Sequence, residues 1–226
     1  LLACPLLPSP LVLEPFDLNP YLKVCGKPSD FMCRAFNVVI REKVLHRGDT
    51  ILINTVEEAE APTLLQLRKE KRDLLLNLWP IGPLRDDGSK HSNVPMSLWK
   101  SDYSSLSWLD THPPHSVLLV SFGSLAPLTP SQLIELAIGL EESGHRILWV
   151  IRPDQIIGSA ATASHAHLPP DFLERNKARL LVVSWLPQHQ VLAHPSLGGF
   201  FTHCGWNSVL ESISSGVPML TWPFFG

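Results

Sequence analysis

The residues best suited to chemistry follow an apolar run near the end of the chain. Leu197–Thr202 (LGGFFT) is short and almost wholly apolar, which is typical of a buried parallel strand. His203, Asn207 and Ser208 come just after it, and the pattern beyond predicts a helix that starts here. A helix start presents backbone N–H groups and the positive end of the helix dipole, so it favours a phosphate. These residues therefore predict an anion-binding turn.

The same turn has a simpler, structural interpretation. Ser208 and Glu211 fit an S-x-x-E capping box, and His203 can be a hydrogen-bonded histidine at a strand end. Glu211 can instead point outward and accept two ribose hydroxyls, and the pattern leaves both roles open. The helix is predicted to end at Gly216, and Val217–Trp222 is predicted to be the next strand.

A second unit upstream repeats this arrangement. Ser116–Phe122 is apolar and predicts a buried strand, and Gly123 and Ser124 turn the chain after it. Thr129–Gln132 reads T-P-S-Q, a capping box with Pro at the first helical position. The helix that follows leads to Arg146–Ile151, the next predicted strand. Such a βαβ unit implies parallel pairing.

With Leu180–Val183 as a further strand, the second half of the chain holds some five predicted strands that alternate with helices. This is the pattern of an α/β fold, here half of a doubly wound parallel sheet. Such sheets bind ligands at the carboxyl ends of their strands. Gly123, Trp185 and His203 each follow a strand, so we expect them to share one site.

The earlier part of the chain carries weaker signals. It predicts a helix over Phe31–His46, a strand over Thr50–Val56 and a charged helix over Glu57–Lys71, whose first turns Pro62 should disturb. Arg85–Leu106 is rich in Asp, Ser, Gly and Lys, which is typical of a linker. Residues 153–170, rich in Ser, Ala and His, predict a surface loop with solvated histidines.

Composition narrows the function classes. The 226 residues suffice for one to two domains, and the net charge of −3 predicts no general attraction to nucleic acid or anionic lipid. No apolar run approaches the roughly 20 residues of a membrane helix. The four cysteines are scattered without zinc-like spacing. The sequence has no G-x-G-x-x-G after a strand, no G-x-x-x-x-G-K-[ST] and no D-x-D, so nicotinamide, P-loop and metal-chelating sugar-nucleotide sites lack support.

The segment Trp185–Gly226 resembles, almost position for position, the signature box of plant-type family 1 UDP-glycosyltransferases. The box reads W-x-P-Q-x-x-V-L-x-H, then G-x-F-x-T-H-C-G-W-N-S, then E, G-V-P-M and W-P, and all of these are present. The S-F-G-S turn at Gly123 and Ser124 and the earlier phrases I-N-T-V-E-E-A-E and W-P-I-G-P-L also resemble the family.

The resemblance implies a site for a UDP-sugar. Its candidate residues are Gly123, Ser124, Trp185, Gln188, His203, Gly205, Trp206, Asn207, Ser208 and Glu211. Trp185 would stack on uracil, Gln188 would lie beside the base and ribose, and Glu211 would bind the ribose hydroxyls. Core packing is the structural alternative for Trp185 and Trp206, and Trp222, which has no polar task, is predicted to be core.

At the other end of the nucleotide, the resemblance implies that His203, Asn207 and Ser208 bind the diphosphate and that Trp206 lies against the sugar. Relatives that use glucuronic acid tend to place Arg at the Trp206 position, where it would pair with the sugar carboxylate. The expected donor is therefore UDP-glucose or a related neutral UDP-hexose. It is a substrate, and no metal or other cofactor is expected.

The family further implies two Rossmann-like domains of the GT-B type, both incomplete here. Residues 1–84 would belong to the acceptor-binding domain, 85–106 to the linker and 107–226 to the UDP-sugar-binding domain. The implied reaction is an inverting, metal-independent transfer of a hexose to a hydroxyl of a small lipophilic metabolite such as a flavonoid or other phenolic. The family's general base is a His near its N-terminus, oriented by an Asp, and no segment here matches either residue.

We therefore expect an internal fragment of a monomeric, cytoplasmic glycosyltransferase, and we expect the fragment alone to transfer sugar poorly. A different class of protein fits the same residues: a non-catalytic, truncated remnant that binds a UDP-sugar. A third possibility is a fragment that does not fold stably, because its sheets lack strands.

Overall fold

A computed structural model describes residues 50–70, 77–84, 102–123, 126–152, 155–157 and 167–222 of the chain. The predicted helix over Phe31–His46, the candidate residue Ser124 and most of the predicted loop at 153–170 lie outside these residues. The chain divides into two compact units, Leu1–Leu84 with Phe225–Gly226, and Arg85–Phe224.

The described part of the first unit contains two strands and a helix. Strands β1 (Thr50–Ile53) and β2 (Asn77–Pro80) pair in parallel, and helix α1 (Glu57–Glu70) lies between them in the sequence. Strand β1 ends three residues earlier than predicted. Glu60 departs from helical geometry, with φ −132° and ψ 25°. Pro62 explains this departure, because it lacks an N–H and its ring crowds the preceding turn. The predicted disturbance of the helix is therefore confirmed.

One five-stranded sheet forms the centre of the second unit. In chain order its strands are β3 (Val117–Ser121), β4 (Arg146–Val150), β5 (Leu180–Val183), β6 (Leu197–Thr202) and β7 (Met219–Thr221). They lie in the order β5-β4-β3-β6-β7, and all neighbours are parallel. The predicted bounds of β5 and β6 match, those of β3 and β4 agree within one residue, and β7 is shorter than predicted. The α/β fold with a parallel sheet is confirmed.

Five helices lie around this sheet in the described part of the second unit: α2 (Ser104–Asp110), α3 (Pro130–Glu142), α4 (Phe172–Asn176), α5 (Gln188–Leu192) and α6 (Trp206–Ser215). The predicted capping box of α3 is confirmed. Thr129 N donates to Gln132 Oε1 at 2.9 Å, and Gln132 N donates to Thr129 Oγ1 at 3.2 Å. Helix α6 ends at Gly216, as predicted, with the positive φ of 68° that glycine tolerates best.

Apolar side chains on the two faces of the sheet form two separate cores. One joins Val120 and Trp149 to Leu133 of α3. The other contains Phe200 of β6 and Leu109 of α2, together with apolar residues of α5. Because both faces are buried, β3 and β4 read as continuous apolar runs and not as alternating ones.

The order of the strands places a switch point beside β3. The chain runs outward from β3 through β4 to β5, then crosses to the other side of β3 and continues with β6 and β7. Parallel α/β sheets bind ligands in the crevice where the strand order reverses, outside the carboxyl ends of the strands. Gly123 and His203 follow β3 and β6, so they flank this crevice.

Candidate functional site

Helix α6 starts directly after the carboxyl end of β6. Cys204 turns the chain with a φ of 64°, which is uncommon for a residue with a side chain. Gly205 is the cap residue, and Trp206 and Asn207 follow as the first two helical residues, with exposed side chains. A helix start leaves its first backbone N–H groups without helical carbonyl partners and gathers the positive end of the dipole. The turn therefore suits an anion.

The predicted Ser208–Glu211 capping box is wrong, because α6 begins at Trp206 and Ser208 is its third residue. Both side chains instead accept hydrogen bonds from Gln188, the first residue of α5. Gln188 Nε2 donates to Ser208 Oγ at 3.0 Å and to Glu211 Oε2 at 2.8 Å. An ionised carboxylate only accepts hydrogen bonds, so the amide nitrogen must face Glu211. The result is a carboxylate held in one position by a neighbouring helix.

His203 lies between two glycines that come from different turns. A Cβ added to Gly123 would lie 2.3 Å from His203 Cε1, and one added to Gly205 would lie 2.4 Å from His203 Nε2. Gly123 also has a positive φ of 65°. The imidazole thus occupies space that only glycine leaves open on both sides, which ties the turn after β3 to the turn before α6.

The environment of His203 favours the neutral imidazole. Burial lowers the pKa of His203, and a backbone hydrogen bond with Ser121 acts to a smaller extent in the opposite direction. Nδ1 of His203 is buried and has no hydrogen-bond partner within the described ranges. A buried polar atom without a partner costs free energy, so the packing around His203 is not optimal for stability alone.

Trp185 follows β5 by two residues and is partly buried. The guanidinium carbon of Arg152 lies 5.7 Å from the centroid of its ring. Arg152 follows the neighbouring strand β4 and is only 6% exposed. Arg152 was not among the site residues predicted from the sequence, although a lone cation directly after the apolar residues of R-I-L-W-V-I was a signal that could have found it.

Trp222 is not the core residue that the sequence predicted, because it is 38% exposed. Its ring stacks on Phe201 with centroids 6.1 Å apart and meets the ring of Phe122 edge-on at 5.8 Å. Phe122 and Trp222 follow β3 and β7, so these aromatic rings line the same edge of the sheet as Gly123.

Six of the predicted site residues fall into two groups, and the members of each group contact one another. Gln188, Ser208 and Glu211 make up the first, and Gly123, His203 and Gly205 make up the second. Trp206 and Asn207 belong to the first turn of α6, between Gly205 and Ser208 in the sequence, and Trp185 stands three residues before Gln188. Among the described residues there is no group of three or more His, Cys, Asp or Glu that could hold a metal ion, and none of their helices could span a membrane.

The chain matches a known protein family. The family described as UDP-glucoronosyl and UDP-glucosyl transferase matches residues 30–226. A 7-deoxyloganetin glucosyltransferase from Gardenia jasminoides is 42% identical over 214 residues, which are 92% of this chain and 42% of the relative. A 7-deoxyloganetic acid glucosyltransferase from Catharanthus roseus is 45% identical over 187 residues, 79% of this chain and 37% of the relative. The chain thus spans less than half the length of these curated relatives.

Solved structures agree with the sequence matches. The structure of Phytolacca americana UGT2, complexed with UDP-2fluoro-glucose and pterostilbene, is 41% identical, with a TM-score of 0.68, over 87% of this chain and 41% of that one. Medicago truncatula UGT71G1, complexed with UDP-glucose, is 32% identical, with a TM-score of 0.69, over 89% of this chain and 41% of that one.

Proposed function

Because the chain belongs to the UDP-glucoronosyl and UDP-glucosyl transferase family, we propose that it supplies the donor-binding part of an inverting, metal-independent glycosyltransferase. The reaction moves a hexose, glucose first, from a UDP-sugar to a hydroxyl of a small lipophilic metabolite such as a flavonoid or other phenolic. The names of the glucosyltransferase relatives support glucose, and the neighbour that holds both UDP-2fluoro-glucose and pterostilbene supports a small-molecule acceptor.

The observation that carries the proposal is the hydrogen-bonded group of Gln188, Ser208 and Glu211 beside the first turn of α6. A carboxylate accepts two hydroxyl groups well, so Glu211 binds the ribose. Gln188 holds that carboxylate through its amide nitrogen and leaves the carbonyl side of the amide toward the base and ribose. Trp185, which precedes this group, offers its indole face to uracil.

In this arrangement the diphosphate lies at the start of α6. Backbone N–H groups and the helix dipole favour its charge, and the Asn207 side chain adds a donor. In this proposal His203 donates a hydrogen bond to the diphosphate, and Trp206 lies against the sugar. The side chain of Trp206 is 42% exposed.

The chemical contribution of these residues is to stabilise the leaving group. When the acceptor oxygen attacks the anomeric carbon, the bond to the diphosphate oxygen breaks and negative charge grows on UDP. Donors placed in advance around that oxygen lower the barrier. The general base that removes the acceptor proton comes, in this proposal, from a part of the enzyme that this chain does not contain.

The first test is a calorimetric titration of the purified chain with UDP, with circular dichroism to follow folding. We expect saturable binding that Trp185→Ala weakens, since removal of a stacking partner costs about 1–3 kcal/mol per base. His203→Ala should also weaken it. Asn176→Leu is the matched control. It changes a buried amide near the amino end of β5, away from the carboxyl ends of the strands, and should leave UDP affinity unchanged.

A folded chain that does not bind UDP would refute the proposal, as would equal binding by the wild type and both site variants. Competition with UDP-glucose and UDP-glucuronic acid then tests the sugar, and we expect the neutral sugar to bind more tightly. A transfer assay with a phenolic acceptor, run on a longer protein that also contains the proposed general base, separates the proposed enzyme from a non-catalytic remnant. We also propose that the parent enzyme is monomeric and cytoplasmic. Light scattering would measure its oligomeric state.

A further inference from the structure

A buried cation lies against the aromatic side chain that the proposed function assigns to uracil. Arg152 is 6% exposed, and its guanidinium carbon is 5.7 Å from the centroid of the Trp185 ring. This distance is within the roughly 6 Å over which a cation is attracted to the face of an aromatic ring, and the attraction is strongest for Trp and for a desolvated cation.

The sheet brings these two residues together. Strands β4 and β5 are parallel neighbours in which Val150 pairs with Val183, and Ile151 N continues the ladder by donating to Val183 O at 2.9 Å. Arg152 and Trp185 therefore leave the sheet at the same edge, from adjacent strands.

The turn that carries Arg152 is fixed by a buried glutamine. Gln155 Nε2 donates to Ala126 O at 3.0 Å, and Gln155 N donates to Arg152 O at 3.2 Å. Gln155 Oε1 also accepts from Arg152 N at 3.4 Å. The backbone of Trp185 is held separately, because Asp102 N donates to Trp185 O at 2.9 Å. Hydrogen bonds thus anchor the backbone on both sides of the contact between the guanidinium and the indole.

We propose that Arg152 is a positioning residue that holds the indole of Trp185 in the orientation needed to stack on a nucleotide base. This inference rests on the proposed UDP site. An indole on a turn has two side-chain torsions to order when a base binds. A ring that is already held loses less conformational freedom on binding, and such preorganisation raises affinity. Arg152 acts on the nucleotide through Trp185 and not through its own contact with the phosphates.

The test is a double-mutant cycle on UDP binding by the full chain. Arg152→Met keeps the length of the side chain and removes its charge, and we expect about tenfold weaker binding. In a Trp185→Leu background the same change should alter affinity less than about twofold, because the residue through which Arg152 acts is gone. Arg152→Lys keeps the charge and should recover part of the loss. Arg179→Met is the matched control. Arg179 directly precedes β5, at the amino end of the strand that Trp185 follows, and its replacement should not weaken UDP binding.

Equal losses in the two backgrounds would overturn the inference, since they would assign Arg152 to the nucleotide itself or to the fold. A second readout needs no nucleotide. The chain has seven Trp residues, and in a ¹H–¹⁵N spectrum the indole signal of Trp185 is the one that Trp185→Phe removes. Arg152→Met and Arg152→Lys should both move that signal, and an unmoved signal would also overturn the inference. If the wild type does not bind UDP, the proposed function fails, whereas the indole spectrum still decides whether Arg152 holds the ring.

Discussion

Replacement of Gln188 by Met should weaken both the fold and the nucleotide site. Met has nearly the length of Gln but no amide, so the variant loses the hydrogen bonds to Ser208 Oγ and Glu211 Oε2, at 3.0 and 2.8 Å. A neutral hydrogen bond contributes about 0.5–1.5 kcal/mol and one to a charged group about 1.5–3 kcal/mol. Because Glu211 is only partly buried, water can replace part of the second bond.

We therefore expect Gln188→Met to lower the free energy of unfolding by about 1–3 kcal/mol. For a chain of this size, each kcal/mol lowers the melting temperature by about 2–4 °C. Thermal unfolding followed by circular dichroism measures this change. UDP affinity, measured by calorimetry, should fall about tenfold, because a carboxylate that moves freely must be ordered again when it binds ribose.

Asn176→Leu separates the two effects. Asn176 is buried, and its amide also donates two hydrogen bonds, to Glu141 Oε1 at 2.9 Å and to Phe172 O at 2.8 Å. Loss of this amide, near the amino end of β5, should lower the free energy of unfolding by a similar amount and leave UDP affinity unchanged. A Gln188→Met variant that unfolds at a lower temperature but binds UDP like the wild type would refute the role of Gln188 in positioning Glu211.

Two further predictions concern His203, one about the space around its ring and one about its protonation. Gly205→Ala should displace the imidazole, lower stability by about 1–3 kcal/mol and weaken UDP binding. Gly139→Ala is the control, because its added Cβ meets nothing within 4 Å and should stabilise α3. Urea unfolding measures the stability of both variants and calorimetry their UDP affinity, and unchanged UDP binding by Gly205→Ala would contradict the prediction. Burial lowers the pKa of His203 from its ordinary 6.5, so the unfolded chain takes up a proton more readily. Stability due to this group is therefore complete above that value and falls as the pH drops through 6.5 toward the folded-state pKa. The loss between pH 7.5 and 5.5 should be smaller in His203→Gln than in the wild type, and equal losses would contradict the pKa shift.

The strands of the second unit could be predicted because their signals are local. Apolar runs such as Leu180–Val183 and Leu197–Thr202 end at polar or glycine residues, and both strands have the predicted bounds. The parallel order of the sheet follows from the alternation of strands and helices, which permits few topologies. The carboxyl edge of the sheet, where Gly123, Trp185 and His203 were expected, follows in turn from the parallel order.

What the sequence could not provide are contacts between elements that are far apart in the chain. Ser208 and Glu211 fit a capping box by spacing alone, yet Gln188, 20 and 23 residues away, provides their partner. Arg152 and Trp185 meet only because β4 and β5 are neighbours. Helix α2 was also missed in the predicted linker region, although Asp102, whose Oδ1 accepts from Ser104 N at 2.9 Å, carries the side chain expected before a helix.

The positions of the charges along α6 favour one orientation of the nucleotide. Glu211 follows Trp206 by five residues, so the carboxylate lies about 7.5 Å along the helix from the turn that suits an anion, at about 1.5 Å per residue. Two unit charges at this separation repel by about 2 kcal/mol at an effective dielectric constant of 20, about half the repulsion at 4 Å. A diphosphate beside Glu211 would meet the larger repulsion and would lose the helix dipole. For the proposed site we therefore expect the diphosphate at Trp206 and Asn207, the ribose at Glu211 and the base toward Trp185.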